Sequence, residues 1–425
     1  MNLNPLDQIA LLLALTAAFA YFNHHVLRLP RNVGLLALAL AAAVALRLVA
    51  AAFPGLMIDE LLGKALARID FAPLLLNLLL AFLLFAGALE VELDKLLERK
   101  WTILALATVG VFLSTLLVGF GMSAIFAAVG IEIPLFYCLA FGALISPTDP
   151  VTVLGVLQRA PVPERLRAII AGEAMFNDGI GIVLYSLLLA AALAGGVPGP
   201  GVWIVAFLRE AGGGALLGLT TGMAAFVAMR GIDEYSIELM ISLALVAGTY
   251  GLAGTLDVSG PVAVVVAGLI MGSIGNRYAV SERTHDYLAR FWGLVDQLLN
   301  ALLYFLVGLE FATVAFDWRL GEAAAAAIAL SLGARAVSIA IPGVPLNLGA
   351  EHKLRGLAVM SWSGLRGGIS LALALSIPAA DFRAPLITVT YAVVIFTMLV
   401  QGLSLDWLCR RLYPPHAASD RGERA

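Results

Sequence analysis

Charge is what this 425-residue chain has least of: Asp, Glu, Lys and Arg make up 13% of it, about half of the roughly 25% usual in a soluble domain. That scarcity excludes an ordinary soluble enzyme, whose surface needs many ionised groups. The formal net charge of −3, with no stripe of basic residues, excludes a nucleic-acid partner. Two cysteines, Cys138 and Cys409, cannot form a disulfide framework, and both read as free thiols packed as small apolar residues. The five histidines, His24, His25, His285, His352 and His416, fall at segment ends or in loops. A haem or a His-ligated metal at membrane depth is therefore not expected, and no cofactor is called for. The alternating pattern of barrel strands is missing as well.

What the chain has in abundance is apolar length. Hydrophobic residues fill 61% of it, in successive windows of about 20 residues, the length with which a helix crosses a hydrocarbon core of about 30 Å. The fold class is therefore an all-α polytopic membrane protein. Interruptions such as Pro30, Pro54, Pro134, Pro161, the Gly/Pro run at 195–201, Pro342 and Pro345 divide it into thirteen spans. Their approximate limits are 8–27, 33–53, 71–90, 101–128, 134–157, 167–193, 202–229, 236–256, 259–275, 292–315, 322–341, 354–377 and 384–409. The first run has Asp7 and no Lys or Arg ahead of it, so it reads as a retained span rather than a cleaved leader.

Basic residues test this division, because cytoplasmic connections collect Lys and Arg. With the N-terminus outside and the C-terminus in the cytoplasm, eighteen of the 26 basic residues fall on the cytoplasmic side. Only Lys64, Arg68, Arg319 and Arg383 fall opposite, and Arg47, Arg209, Arg335 and Arg366 lie within spans. One missed span would scramble that asymmetry. A weak repeat adds to it: LLFAGALEVEL at 83–93 resembles LYFLVGLEFAT at 303–313. The copies end spans three and ten, an odd number of spans apart, so they run in opposite directions. Inverted repeats of this kind mark secondary transporters.

Charged groups at bilayer depth cost roughly 2.5 to 3.5 kcal/mol each on insertion scales and are candidates for function. The first cluster is ALISPTDPVTVLG at 143–155, in the middle of span five. Pro147 and Pro150 each remove a backbone donor and clash with the preceding turn, so the helix is expected to break and free backbone oxygens and amides. Thr148 and Asp149 lie inside that break, where Asp149 either faces a ligand or caps a kinked helix. The second cluster is AGEAMFNDGIGIVLY at 171–185, in span six. Glu173 and Asn177 share a helix face, whereas Asp178 points about 140° away from Glu173 at 3.6 residues per turn. One acid can thus sit in a structural pair while the other faces a cavity. Arg335 lies within span eleven. Arg366 lies within SWSGLRGGISLALA of span twelve, whose glycines and serines allow that span to open as span five does, seven spans earlier. Arg366 either neutralises the carbonyl ends of the break or meets a ligand. Arg47 and Arg209 read as interfacial residues.

SPTDP, GEAMFNDG and GLRGGIS, in that order and in spans five, six and twelve, resemble the cation:proton antiporter superfamily, and within it the electroneutral, NhaP-like sodium/proton exchangers. The Asn-Asp pair is the specific element, since related electrogenic antiporters carry Asp-Asp there. The resemblance covers nearly the whole chain and implies that Asp178 is the carboxylate shared by proton and cation, with Asn177 as its partner. It also implies that Thr148 and Asp149 belong to a crossed, unwound region, and that Arg335 pairs with Glu173 and Asn177. Ala174 stands where many relatives have Ser, which removes one possible hydroxyl ligand. On this footing residues 1–425 form one transporter domain ending in a short cytoplasmic tail at 410–425. Spans four to six (101–193) and eleven to thirteen (322–409) are its ion-carrying core, and spans one to three and seven to ten a scaffold that pairs two copies in the cell membrane.

The expected activity is exchange of Na⁺, with Li⁺ or K⁺ as further candidates, for H⁺. Hard monovalent cations suit oxygen ligands, and Asp178, Thr148 and backbone oxygens of the break supply them, with water completing the shell. K⁺/H⁺ exchange on the same fold and a cation channel are the alternatives; a channel needs an open path and no shared carboxylate. A membrane-embedded hydrolase would need an activated nucleophile, and no metal-binding His pair or Ser/His arrangement lies at depth.

Overall fold

The computed structural model describes residues 5–53, 79–89, 91, 93–195, 199–275, 282–313, 318–343, 353–378, 380 and 382–414. The connection carrying Lys64 and Arg68, Glu90 and Glu92 of the repeat, Pro54, Pro345, Arg277 and the tail from residue 415 lie outside the described residues. Among the described residues all regular structure is helical. Ten helices are long and apolar enough to cross a membrane. Two shorter apolar helices, Leu80–Leu89 and Gly260–Ser273, fall on spans three and nine, and span twelve is divided into Lys353–Trp362 and Gly368–Leu375.

Proline starts several of these helices. Pro30, Pro134 and Pro163 stand immediately before Arg31–Ala52, Leu135–Ile145 and Glu164–Ala194, where a fixed φ and a missing N–H cost nothing because the first amides have no helical acceptor. The long helix of span six ends at Gly195, whose φ of +65° closes it in the left-handed conformation that glycine adopts without strain. Span ten begins earlier than its apolar run, at Glu282. Leu288 and Trp292 are buried in that extension while Asp286, Ala289 and Arg290 are exposed. An amphipathic turn of this sort continues a helix without lengthening the apolar window. Span eleven runs over Trp318–Gly343 and takes Pro342 into its last turn.

Spans two and ten lie parallel: Arg31 Nη1 donates to Gln297 Oε1 at 2.5 Å near one end, and Arg47 Nε to the Ala312 carbonyl at 2.7 Å near the other. Spans four and five are antiparallel and nearly in backbone contact, since a Cβ at Gly142 would stand 2.3 Å from the Thr115 carbonyl oxygen. Spans seven, eight and nine pack on one another, with Thr249 of span eight donating to Thr221 of span seven at 2.9 Å. Arg209 is exposed and pairs with Asp257 at 3.5 Å. Both cysteines are buried and free.

The two interrupted spans meet at their breaks. Spans five and twelve run antiparallel, with Tyr137 against Phe382, in the connection that follows span twelve, toward one end and the Asp149 amide donating to the Leu365 carbonyl at 2.8 Å midway. Non-helical backbone at this depth is tolerated because it is buried in protein and lines a cavity.

Candidate functional site

The break in span five separates Leu135–Ile145 from Pro150–Leu157. Asp149 is the N-cap of the second half: its Oδ1 accepts from the amides of Val151 at 3.0 Å and Thr152 at 3.2 Å. Its Oδ2 accepts from the Thr152 hydroxyl at 2.6 Å and from the Tyr304 hydroxyl. A carboxylate has about four acceptor positions, and those of Asp149 are all taken within the protein. Of the two roles open to Asp149, the capping role is the one this geometry displays. At the other side of the break, the Arg366 Nη1 donates to the carbonyls of Ser146 and, at 2.9 Å, Pro147. The Arg366 amide donates to Thr397 Oγ1 at 3.1 Å. Arg366 is fully buried and supplies the positive charge that the orphan carbonyl end of a broken helix attracts.

Span six lies against this break so closely that a Cβ at Gly181 would stand 2.5 Å from Pro147 Cγ. One face of span six holds a polar network. Arg335 of span eleven grips Glu173 with two bonds, Nη1 to Oε1 at 2.7 Å and Nη2 to Oε2 at 2.9 Å. Asn177 Nδ2 donates to Glu173 Oε1 at 2.7 Å and to Thr148 Oγ1 at 2.8 Å. Asn177 Oδ1 in turn accepts from the Thr148 amide at 3.3 Å. Arg335 therefore reaches Glu173 directly, and Asn177 joins the pair through the same carboxylate oxygen. Asn177 ties span six to the break in span five. The planar guanidinium fits a buried carboxylate in this two-point fashion.

Asp178 differs from the other two acids. Its side chain turns away from the Glu173–Asn177 face, and neither carboxylate oxygen has a hydrogen-bond partner although both are buried. A buried carboxylate left without donors is costly, and such a group is an open place for a proton or a cation. Asp178 lines a cavity of about 280 Å³ together with Thr148, Asp149 and Tyr304. The cavity extends past Gly155 and Gln158 of span five and Gln297 of span ten, toward the end of the bundle where Arg31 holds Gln297. Thr148, Asp149 and Asp178 thus come together at one cavity, with Asn177, Glu173, Arg335 and Arg366 forming the polar support behind them.

Reading the sequence alone passes over Tyr304, Thr152 and Asn32. Tyr304 sits inside the repeat segment at 303–313, where a phenol in an apolar helix signals a hydroxyl in need of a partner. Asn32 Nδ2 donates to Thr152 Oγ1 at 2.9 Å, and nothing in the local pattern around Asn32 announces that bond.

Crossed helix breaks around an unpartnered carboxylate, in a helical membrane bundle, define an ion transporter. The chain belongs to the transmembrane sodium/hydrogen exchanger family, whose pattern matches residues 11–411. It is 42% identical to the Na(+)/H(+) antiporter NhaP of Pseudomonas aeruginosa over 417 residues, 96% of this chain and 97% of that one. It is 34% identical to the Na(+)/H(+) antiporter NhaH of Halobacillus aidingensis over 347 residues, 80% of this chain and 84% of the relative. Among solved structures it is similar in fold to the sodium proton antiporter MjNhaP1 of Methanocaldococcus jannaschii, with a TM-score of 0.74 at 20% identity, over 96% of this chain and 98% of that one.

Proposed function

We propose that this exchanger carries Na⁺ in one direction and H⁺ in the other, one for one, with the two ions competing for Asp178. The observation that carries the proposal is the contrast among three acids of one cluster. Glu173 is held by Arg335 and Asn177 and Asp149 by four donors, while Asp178 is held by none. Asp178 and the Thr148 hydroxyl line the cavity as oxygen ligands suited to a hard cation, with water completing the shell. Competition for one carboxylate makes exchange obligatory, because the site is vacated by one ion before the other is taken.

In this reading spans four to six and eleven to thirteen move as one body against a scaffold of the remaining spans, through which two copies pair. The Arg-rich end of the bundle faces the cytoplasm of a plasma-membrane protein, so the Asp178 cavity is the inward-facing one. Asp178→Asn removes the group that carries either ion while keeping its shape. Purified and reconstituted, the variant is expected to keep the thermal unfolding profile of the parent and to lose Na⁺-driven H⁺ flux to the background of empty liposomes. Flux near the parental rate would refute the assignment.

A further inference from the structure

Two residues of the scaffold spans hold the break in span five from outside the ion-carrying body. The Tyr304 hydroxyl, on span ten, donates to Asp149 Oδ2 and lies 3.4 Å from Thr152 Oγ1. Asn32, at the start of span two, donates to the same Thr152 oxygen at 2.9 Å, and the Thr152 hydroxyl in turn donates to Asp149 Oδ2 at 2.6 Å. Spans two and ten pack on each other, so the two donors arrive as one unit. Other partners of the break come from elsewhere, Ser114 on span four, Asn177 on span six and Leu365 and Arg366 on span twelve.

Next to these polar contacts the same boundary is bare. Leu303, the neighbour of Tyr304, lies over Gly368, where a Cβ would stand 2.6 Å from the leucine side chain. Leucine over a glycine backbone offers a surface that slides without breaking a hydrogen bond. The hydroxyl of Tyr304 and the amide of Asn32 do not slide; each bond is either made or broken.

Resting on the reading above, in which spans four to six and eleven to thirteen move against the others, we propose that Tyr304 is a positioning residue for exchange. With Asn32 it latches Asp149 and Thr152 across the moving boundary and holds the state in which the Asp178 cavity is open at the Arg-rich end. The latch also decides what Asp149 does. While Tyr304 is in place all four acceptor positions of Asp149 are filled, so the carboxylate caps its helix and takes no ion. Release of Tyr304 as the cavity closes, once in each cycle, frees one position on Oδ2, which then turns to water or to the transported cation.

The experiment uses the full chain with Cys138 and Cys409 replaced by Ser and Gly155→Cys as reporter. Gly155 lines the cavity, and a Cβ added there meets nothing within 4 Å. Its rate of labelling by a membrane-impermeant maleimide, taken relative to the denatured protein, reads the ratio of open to closed cavity. Tyr304→Phe is expected to lower that ratio by about fivefold, the equilibrium worth of one hydrogen bond, and Asn32→Ala is expected to shift it the same way. Unchanged labelling in both variants, whatever happens to their thermal stability, would overturn the latch, because a merely structural tyrosine would move the melting point and not the ratio. Labelling needs no transport, so it is independent of the Asp178 assignment. If Asp178→Asn still exchanged ions, the ion-carrying reading would fall while the maleimide still reported on Tyr304.

Discussion

At Glu173 and Arg335 two opposite charges lie out of contact with water, joined by two bonds. Removing one partner strands the other, at a cost of about 3 to 5 kcal/mol. Glu173→Gln and Arg335→Gln are therefore each expected to lower thermal stability, and the double variant to lose less than the sum of the two. Strictly additive losses in a double-mutant cycle would show that the pair carries no coupling. Much of this arrangement is legible in the residues themselves: the spacing of Glu173, Asn177 and Asp178 on a 3.6-residue helix already separates a paired acid from an open one. Asn32 and Tyr304 are not legible in that way. Each depends on a contact more than a hundred residues distant in sequence, and neither a lone Asn at a helix start nor a lone Tyr in an apolar run tells which oxygen it meets.

The elements that matter most are the two broken helices, and here proline and glycine announce the interruption more clearly than any periodicity. Pro147 and Pro150 mark the first break and the Gly364, Gly367, Gly368 group the second, as the divided helices display. The crossing itself follows from the inverted order of spans, but the bond between the Asp149 amide and the Leu365 carbonyl needs the three-dimensional register. Apolarity is a poorer guide to helix ends, as the amphipathic start of span ten at Glu282 shows. Arg366 holds the carbonyls of Ser146 and Pro147, and a buried acceptor left without a donor costs about 1 to 3 kcal/mol. Arg366→Gln is accordingly expected to lower the unfolding temperature in detergent and to slow exchange, since the break that presents Thr148 loses its anchor. Parental stability together with parental exchange would remove Arg366 from this role.

Over the whole molecule the decisive quantity is the charge that crosses the membrane. Asp149, Glu173 and Asp178 contribute three negative charges to the cluster when ionised and Arg335 and Arg366 two positive ones, which leaves the empty site with one net negative charge. One Na⁺ or one H⁺ neutralises it. An uncompensated charge is worth several kcal/mol near an effective dielectric of 20, so in the proposed competition the loaded forms cross and the empty form does not. The proposed one-for-one exchange is then electroneutral: in proteoliposomes a valinomycin-set K⁺ diffusion potential is expected to drive no proton movement in the absence of a Na⁺ gradient, and pumping driven by voltage alone would exclude the one-for-one ratio. The central claim is the competition of the two ions for a single carboxylate, and it is tested most directly by counting protons released when Na⁺ binds to purified protein in weakly buffered detergent, at a pH where the site is protonated before Na⁺ arrives. The account predicts one proton released for each Na⁺ bound, and no release from Asp178→Asn; Na⁺ binding without proton release, or undiminished release from the variant, would contradict it.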